Sequence, residues 1–189
     1  NTGRGAYLDM SLLDCMVGVL ANQGMNYLAS GASPTRLGSR HPNISPYEAF
    51  AASDYPFILA VGNDEQFKRF CNIVDLPDLP LDARFTTNPA RVENRNDLSA
   101  HISKAVASWK RDELLVALEK EGVPAGPINN VEQALSDPQI IARELVLNMR
   151  RSEQEASIYG IATPIRLSGE MHHSNTPSPI LGKDEPRWL

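Results

Sequence analysis

By type and setting, His41 is the residue in this chain best placed to do chemistry. It stands between Arg40 and Pro42 in "GSRHPNISPYEAF", residues 38–50, a polar, proline-punctuated span that then turns apolar and aromatic. An imidazole titrates near neutral pH, so in a cleft it serves as acid, base or hydrogen-bond donor. A loop histidine more often pins its own loop through the backbone, because most loops are surface connectors, and the residues alone favour that role. His172 and His173 are adjacent, which in extended chain sends them to opposite sides. That geometry is wrong for one metal ion, and a solvated pair is expected. "AVGND", residues 60–64, leads from a strand into a helix start, a setting where backbone N–H groups attract phosphate. One glycine instead of three separates it from a dinucleotide fingerprint, so a tight turn with Asn63 as helix cap is expected. The acidic residues between 97 and 121 read as a solvated helix face. No serine elbow, cysteine–histidine dyad or metal-ligand spacing is present. No catalytic residue and no metal site are therefore assigned.

These groups sit in a chain of 189 residues, enough for one medium domain or two small lobes. Acidic residues outnumber basic ones, 23 to 18. With no basic run, nucleic acid and anionic membranes are poor partners. No apolar run is long enough to cross a bilayer, and no charged-then-apolar leader is visible. Cys15 and Cys71 lie in apolar periodic segments and are expected to be reduced core thiols, as in a cytoplasmic protein. The chain opens "NTGRG" and closes "GKDEPRWL"; "TGRG" reads as the turn after a preceding element, so a longer polypeptide is expected.

The elements that must position the loop follow from periodicity and punctuation. "AYLDM" is a short strand candidate. Ser11 with Asp14 forms a capping box for a long helix through Leu28, apolar around much of its circumference and ending at Gly31 and Pro34. "YEAFAASD" and "PFILAVGN" read as two strands joined by a turn. Asn63 and Gln66 cap a helix that places Phe67, Phe70, Cys71 and Val74 on one face. "DLPDLPLDARF" is irregular. Leu98, Ile102, Val106 and Trp109 mark a further helix. Leu114, Leu115 and Leu118 mark another, with Gly122 as its C-cap. "GVPAGPINN" is extended. Asn130 with Gln133, and Asp137 before Pro138, start two brief helices. Beyond Leu145 the pattern turns strand-like, and the tail from Gly169 is rich in Pro, Ser and Gly.

Taken in order, "TGRGAYLDMSLLD", "GSRHPNISPYEAF", "FILAVGNDEQF", "LDARFTTNPARVENRNDL", "GVPAGPINNVEQALSDPQIIARELV", "GIATPIRLSG" and "PILG" resemble the C-terminal half of a class III CoA-transferase, the CaiB/BaiF family. The resemblance covers nearly the whole chain. It implies an α/β protein: a small α+β domain plus segments of a Rossmann-like large domain, in a homodimer whose subunits interlock. On that layout residues 1–33 are a long helix of the large domain or linker. Residues 34–128 are the small domain, and residues 129–189 return to the large domain.

The implied reaction moves coenzyme A from an acyl-CoA to a carboxylic acid through an aspartyl-CoA thioester, without a metal. The family's aspartate precedes the "TGRG" turn and so lies outside this chain; Asp9 and Asp14 do not match it. What carries over is the substrate-facing edge of the small domain, Gly38, Ser39, Arg40, His41 and Asn43, with Leu12 as an apolar wall or as plain core. The formyl-CoA branch has a glycine-rich loop there. Gly38 alone matches it, which makes a stiffer loop and argues against oxalate or formate. An α-methylacyl-CoA racemase of the same fold is the alternative. The chain by itself reads as a dimerisation and pocket-wall module without activity.

Overall fold

The computed structural model describes residues 3–152, 156–171 and 176–182. The expectation for His172 and His173 lies outside the described residues. The chain divides into two compact units, Asn1–Ile128 and Asn129–Leu189.

The first unit opens with two helices, α1 (Leu12–Val19) and α2 (Ala21–Ser30), where one long helix is expected from sequence. The Leu20 N–H tightens the last turn by bonding the Val17 carbonyl, and Ala21 sits at φ 44°. Neither glycine nor proline occupies the break, so no sequence signal marks it. Ser11 is the N-cap of α1, but its side chain makes no cap bond. "AYLDM" is not a strand. Its β-propensity is right, but a strand forms only where a neighbour completes its ladder. No residue from 3 to 33 is buried, and the exposed ones include Tyr7, Leu8, Leu12, Leu13, Met16, Met25 and Leu28. Cys15 is exposed with them, against the core role expected for it.

The rest of the unit is an antiparallel sheet packed on helices. Strands β1 (Tyr47–Ala51) and β2 (Pro56–Ala60) form the hairpin read from sequence, and β3 (Ala125–Pro127) pairs with the other edge of β2. Registers Glu48↔Leu59 and Phe50↔Phe57 place all four residues on the core face. Helix α3 (Asp64–Ile73) buries Phe67, Phe70 and Cys71. Asn63 caps it, accepting from the Gln66 N–H; the Gln66 side chain reaches back to the Gly62 N–H. After a short turn at Leu79–Leu81 come α4 (Asn88–Glu93), α5 (Arg95–Val106) and α6 (Arg111–Lys120). Sequence periodicity passes over α4. It is a six-residue helix started by the Thr87 cap and Pro89, too short to show a repeating face.

Helix α6 ends in a Schellman motif. The Gly122 N–H bonds the Glu119 carbonyl, the Val123 N–H bonds the Leu118 carbonyl, and Gly122 takes φ 64°. Every member of the core cluster lies between Phe50 and Val123. That stretch therefore holds the apolar burial that stabilises the unit, at about 25 cal/mol per Å².

The second unit starts with α7 (Val131–Leu135), closed by a complete Asn130–Gln133 capping box, and α8 (Pro138–Ala142), capped by Asp137. Strand β4 (Val146–Met149) pairs antiparallel with β5 (Ile158–Ile161), and β6 (Arg166–Leu167) with β7 (Glu170–Met171). No helix among the described residues is long and apolar enough to cross a membrane.

Candidate functional site

Residues 37–46 lead from α2 to β1 and have no ladder partners of their own, so side chains must fix them. Gly38 takes φ 65°, where an added Cβ would meet nothing within 4 Å; the demand on glycine is its backbone conformation alone. The Arg40 N–H closes the turn on the Leu37 carbonyl. The segment then lies along the free edge of β1. Ser39 Oγ accepts from the Ala49 N–H at 3.1 Å, and the His41 N–H bonds the Tyr47 carbonyl at 2.9 Å. An edge covered this way cannot template pairing with another strand.

His41 is engaged on every side. Its ring stacks on Tyr47, with centroids 5.1 Å apart and planes at 14°. Nδ1 accepts from the Asn43 N–H at 3.1 Å, and Nε2 lies 3.1 Å from the Asn22 amide on α2. The atom of Asn22 that faces Nε2 is its amide nitrogen, Nδ2. The imidazole thus pins its own loop, the role the sequence favours. Asn43 and Asn26 exchange amide hydrogen bonds at 3.0 and 3.3 Å.

Arg40 donates through Nε to Glu48 Oε2 and through Nη1 to Asn96, both at 2.9 Å. Glu48 occupies a core-facing position of β1 and is 8% exposed. Buried carboxylates need partners, and Glu48 has Arg40 on one oxygen and the Ser99 hydroxyl on the other.

The loop carbonyls point the other way, toward α4 and α5. Arg95 forks onto the carbonyls of His41 (3.2 Å) and Pro42 (2.9 Å). Asn88 donates to the Asn43 carbonyl at 2.8 Å and accepts from the Ser45 N–H at 3.1 Å. Arg91 donates to the carbonyls of Ser45 (2.7 Å) and Phe85 (3.1 Å) and to Asp64 (2.8 Å), with its guanidinium 4.5 Å above the Phe67 ring. Arg91 is fully buried. The Val61 N–H takes the Pro46 carbonyl.

Behind the Gly38 turn the structure therefore ties Ser39 and Arg40 to β1, and His41 and Asn43 to each other and to α2. Leu12, the first residue of α1, is 85% exposed. Sequence reasoning missed Glu48, Asn88, Arg91, Arg95 and Ser99. A signal existed for most of them. Glu48 falls in the inward phase of a strand with Phe50. Asn88 and Arg91 are spaced three apart, as on one face of α4, and Arg95 opens α5 just beyond it. Residues 37–46 contain no aspartate or glutamate. Burial pushes the Cys71 thiol up to about 12, against a smaller opposing effect of the Arg91 charge, so it is no nucleophile at neutral pH. Among the described residues no group of three or more His, Cys, Asp or Glu side chains is arranged to hold a metal ion.

The first unit is thus a mixed helix-and-sheet fold with a braced, carboxylate-free loop along its β1 edge. The chain belongs to CoA-transferase family III, whose sequence model matches residues 1–185. It is 45% identical, over its full length, to the succinate–glutarate CoA-transferase of Agrobacterium fabrum, and covers 47% of that protein. It is 34% identical over 89% of its length to the acetyl-CoA:oxalate CoA-transferase of Acetobacter aceti, covering 42% of it. Among solved structures, a CaiB/BaiF family protein from Brucella suis matches 95% of this chain with a TM-score of 0.77 and 48% identity, and 46% of that chain is covered. The chain thus spans about half the length of the relatives it matches.

Proposed function

We propose that this chain is the small-domain side of an acyl-CoA:carboxylate CoA-transferase whose nucleophilic aspartate stands on polypeptide outside it. In this reading the aspartate attacks the thioester carbonyl and forms a mixed anhydride with release of the CoA thiolate. The thiolate then attacks the enzyme's own acyl carbon, giving an aspartyl-CoA thioester and freeing the donor acid. The acceptor carboxylate repeats both steps in reverse, so one difficult exchange becomes a series of easier ones. One observation carries the reading: full-length likeness at 45% identity to a succinate–glutarate CoA-transferase, of which this chain covers less than half. That likeness also supports short dicarboxylic acids as donor and acceptor.

In the same reading Gly38, Ser39, Arg40, His41 and Asn43 form a stiff lid edge over the pocket, and Leu12 is an apolar wall for the acyl or pantetheine portion. A second copy of the full-length protein, interlocked with the first, covers the apolar surface of residues 7–28. The enzyme works in the cytoplasm, and the 189-residue chain alone is inactive.

The test uses the full-length protein. After incubation with succinyl-CoA, hydroxylamine or borohydride is expected to expel CoA from the aspartyl thioester, and mass spectrometry to find the resulting hydroxamate or alcohol on an aspartate preceding Asn1. Exchange of the α-proton into deuterated water without CoA transfer would indicate the racemase alternative. Turnover of acyl-CoA by the 189-residue chain would refute the placement of the nucleophile.

A further inference from the structure

We propose that Asn88, Arg91 and Arg95 are positioning residues of this reaction: they set residues 41–46 as a rigid wall before any substrate arrives. The proposal rests on the transferase reading above. From His41 to Pro46, five of six consecutive carbonyls have a donor outside the segment, and four of those five are held by these three side chains. Each engaged carbonyl fixes the tilt of a peptide plane. With two prolines and no ladder in the segment, these bonds replace the ones a strand or helix would have made. Arg95 is suited to its place because a planar fork meets two neighbouring carbonyls at once, which an ammonium cannot do. Arg91 is suited to its own because its donors reach two carbonyls and a carboxylate from a fully buried position.

The polar side chains of the segment leave little for direct chemistry. Those of Ser39, His41 and Asn43 are all bonded to the protein itself. The segment therefore acts through shape. A covalent anhydride or thioester is lost to hydrolysis if water reaches it. A wall ordered during folding excludes water without an ordering cost at each turnover.

The experiment compares full-length wild type with Arg95→Met, Arg95→Lys and Asn88→Asp. The last keeps an acceptor for the Ser45 N–H but sets a carboxylate against the Asn43 carbonyl. Two quantities are read: amide exchange across residues 41–46 by mass spectrometry, and the ratio of acyl-CoA hydrolysis to CoA transfer. Arg95→Met and Asn88→Asp are expected to raise both by roughly tenfold, the scale of one or two lost hydrogen bonds. Arg95→Lys is expected to fall between them and wild type. Folded variants with wild-type exchange would overturn the proposal. So would faster exchange with an unchanged hydrolysis-to-transfer ratio, because that describes a purely structural brace. If Arg95→Met does not fold, the other two variants decide by the same criteria. A wild-type protein that forms no covalent CoA adduct would remove the transferase reading itself, and with it this role for the clamp.

Discussion

Replacing Arg91 by methionine is expected to destabilise the first unit more than any other single polar change. Methionine fills much of the same volume, so the loss is one of hydrogen bonding. Two buried carbonyls, those of Ser45 and Phe85, lose their donor. A buried acceptor left unmade costs about 1–3 kcal/mol. The Asp64 side chain is 48% exposed and can return to water, so no buried charge is stranded. Stacking on Phe67 is partly recovered, because a thioether also packs favourably on an aromatic ring. The sum is roughly 2–6 kcal/mol, against a total stability of about 5–15 kcal/mol for an ordinary domain. For a unit of this size that corresponds to a fall in Tm on the order of 6–30 °C. Arg91→Lys keeps the charge and reaches one partner, so about half that loss is expected. Urea unfolding followed by circular dichroism measures both. If either variant lies within about 0.5 kcal/mol of wild type, the fork geometry does not brace this loop and the reasoning from it fails.

Three further outcomes follow from other parts of the chain. Cys15 is exposed and Cys71 is buried with its thiol raised to about 12. One thiol per 189-residue chain should therefore react at once with an aromatic disulfide reagent, and the second only when the domain opens; in the full-length protein, slow labelling of Cys15 would show that α1 is covered. The carboxyls of Asp54 and Asp82 are held below their ordinary value of 3.8, Asp54 chiefly by the Arg111 N–H and Asp82 chiefly by the Arg84 side chain. Their folded forms bind fewer protons than the unfolded chain, so this stabilisation is present above about pH 4 and is lost as pH falls through the lower folded values; urea midpoints measured from pH 6 downward should drop there, less steeply in Asp54→Asn. Gly122→Ala meets no steric contact, but holding alanine in a left-handed conformation costs about 1–2 kcal/mol, and Gly122→Asn should cost less by denaturant titration.

What could be read from the residues was whatever is decided within a few positions. Asn63, Asn130 and Asp137 cap their helices, and Gly122 ends α6, because each bond closes within about six residues. The β1–β2 hairpin was legible for the same reason. Three expectations failed where more than a few neighbouring positions decide. "AYLDM" has strand-like residues and no partner strand, Cys15 has apolar neighbours and no cover, and the α1–α2 break carries no breaker residue. The loop at residues 38–43 and the pinning role of His41 were visible, but its clamp was not. Asn88, Arg91 and Arg95 reach it from 43 to 54 residues away. In sequence Arg91 is one more surface charge, because a buried guanidinium is rare unless it is paired. The two oddities account for each other. A proline-rich segment without a ladder carries carbonyls that need donors, and a guanidinium can be buried only where several acceptors converge. Irregular backbone beside a short helix bearing Asn88 and Arg91, with Arg95 opening the next helix, is therefore itself a cue, and it points to the helix junction against which the loop must lie.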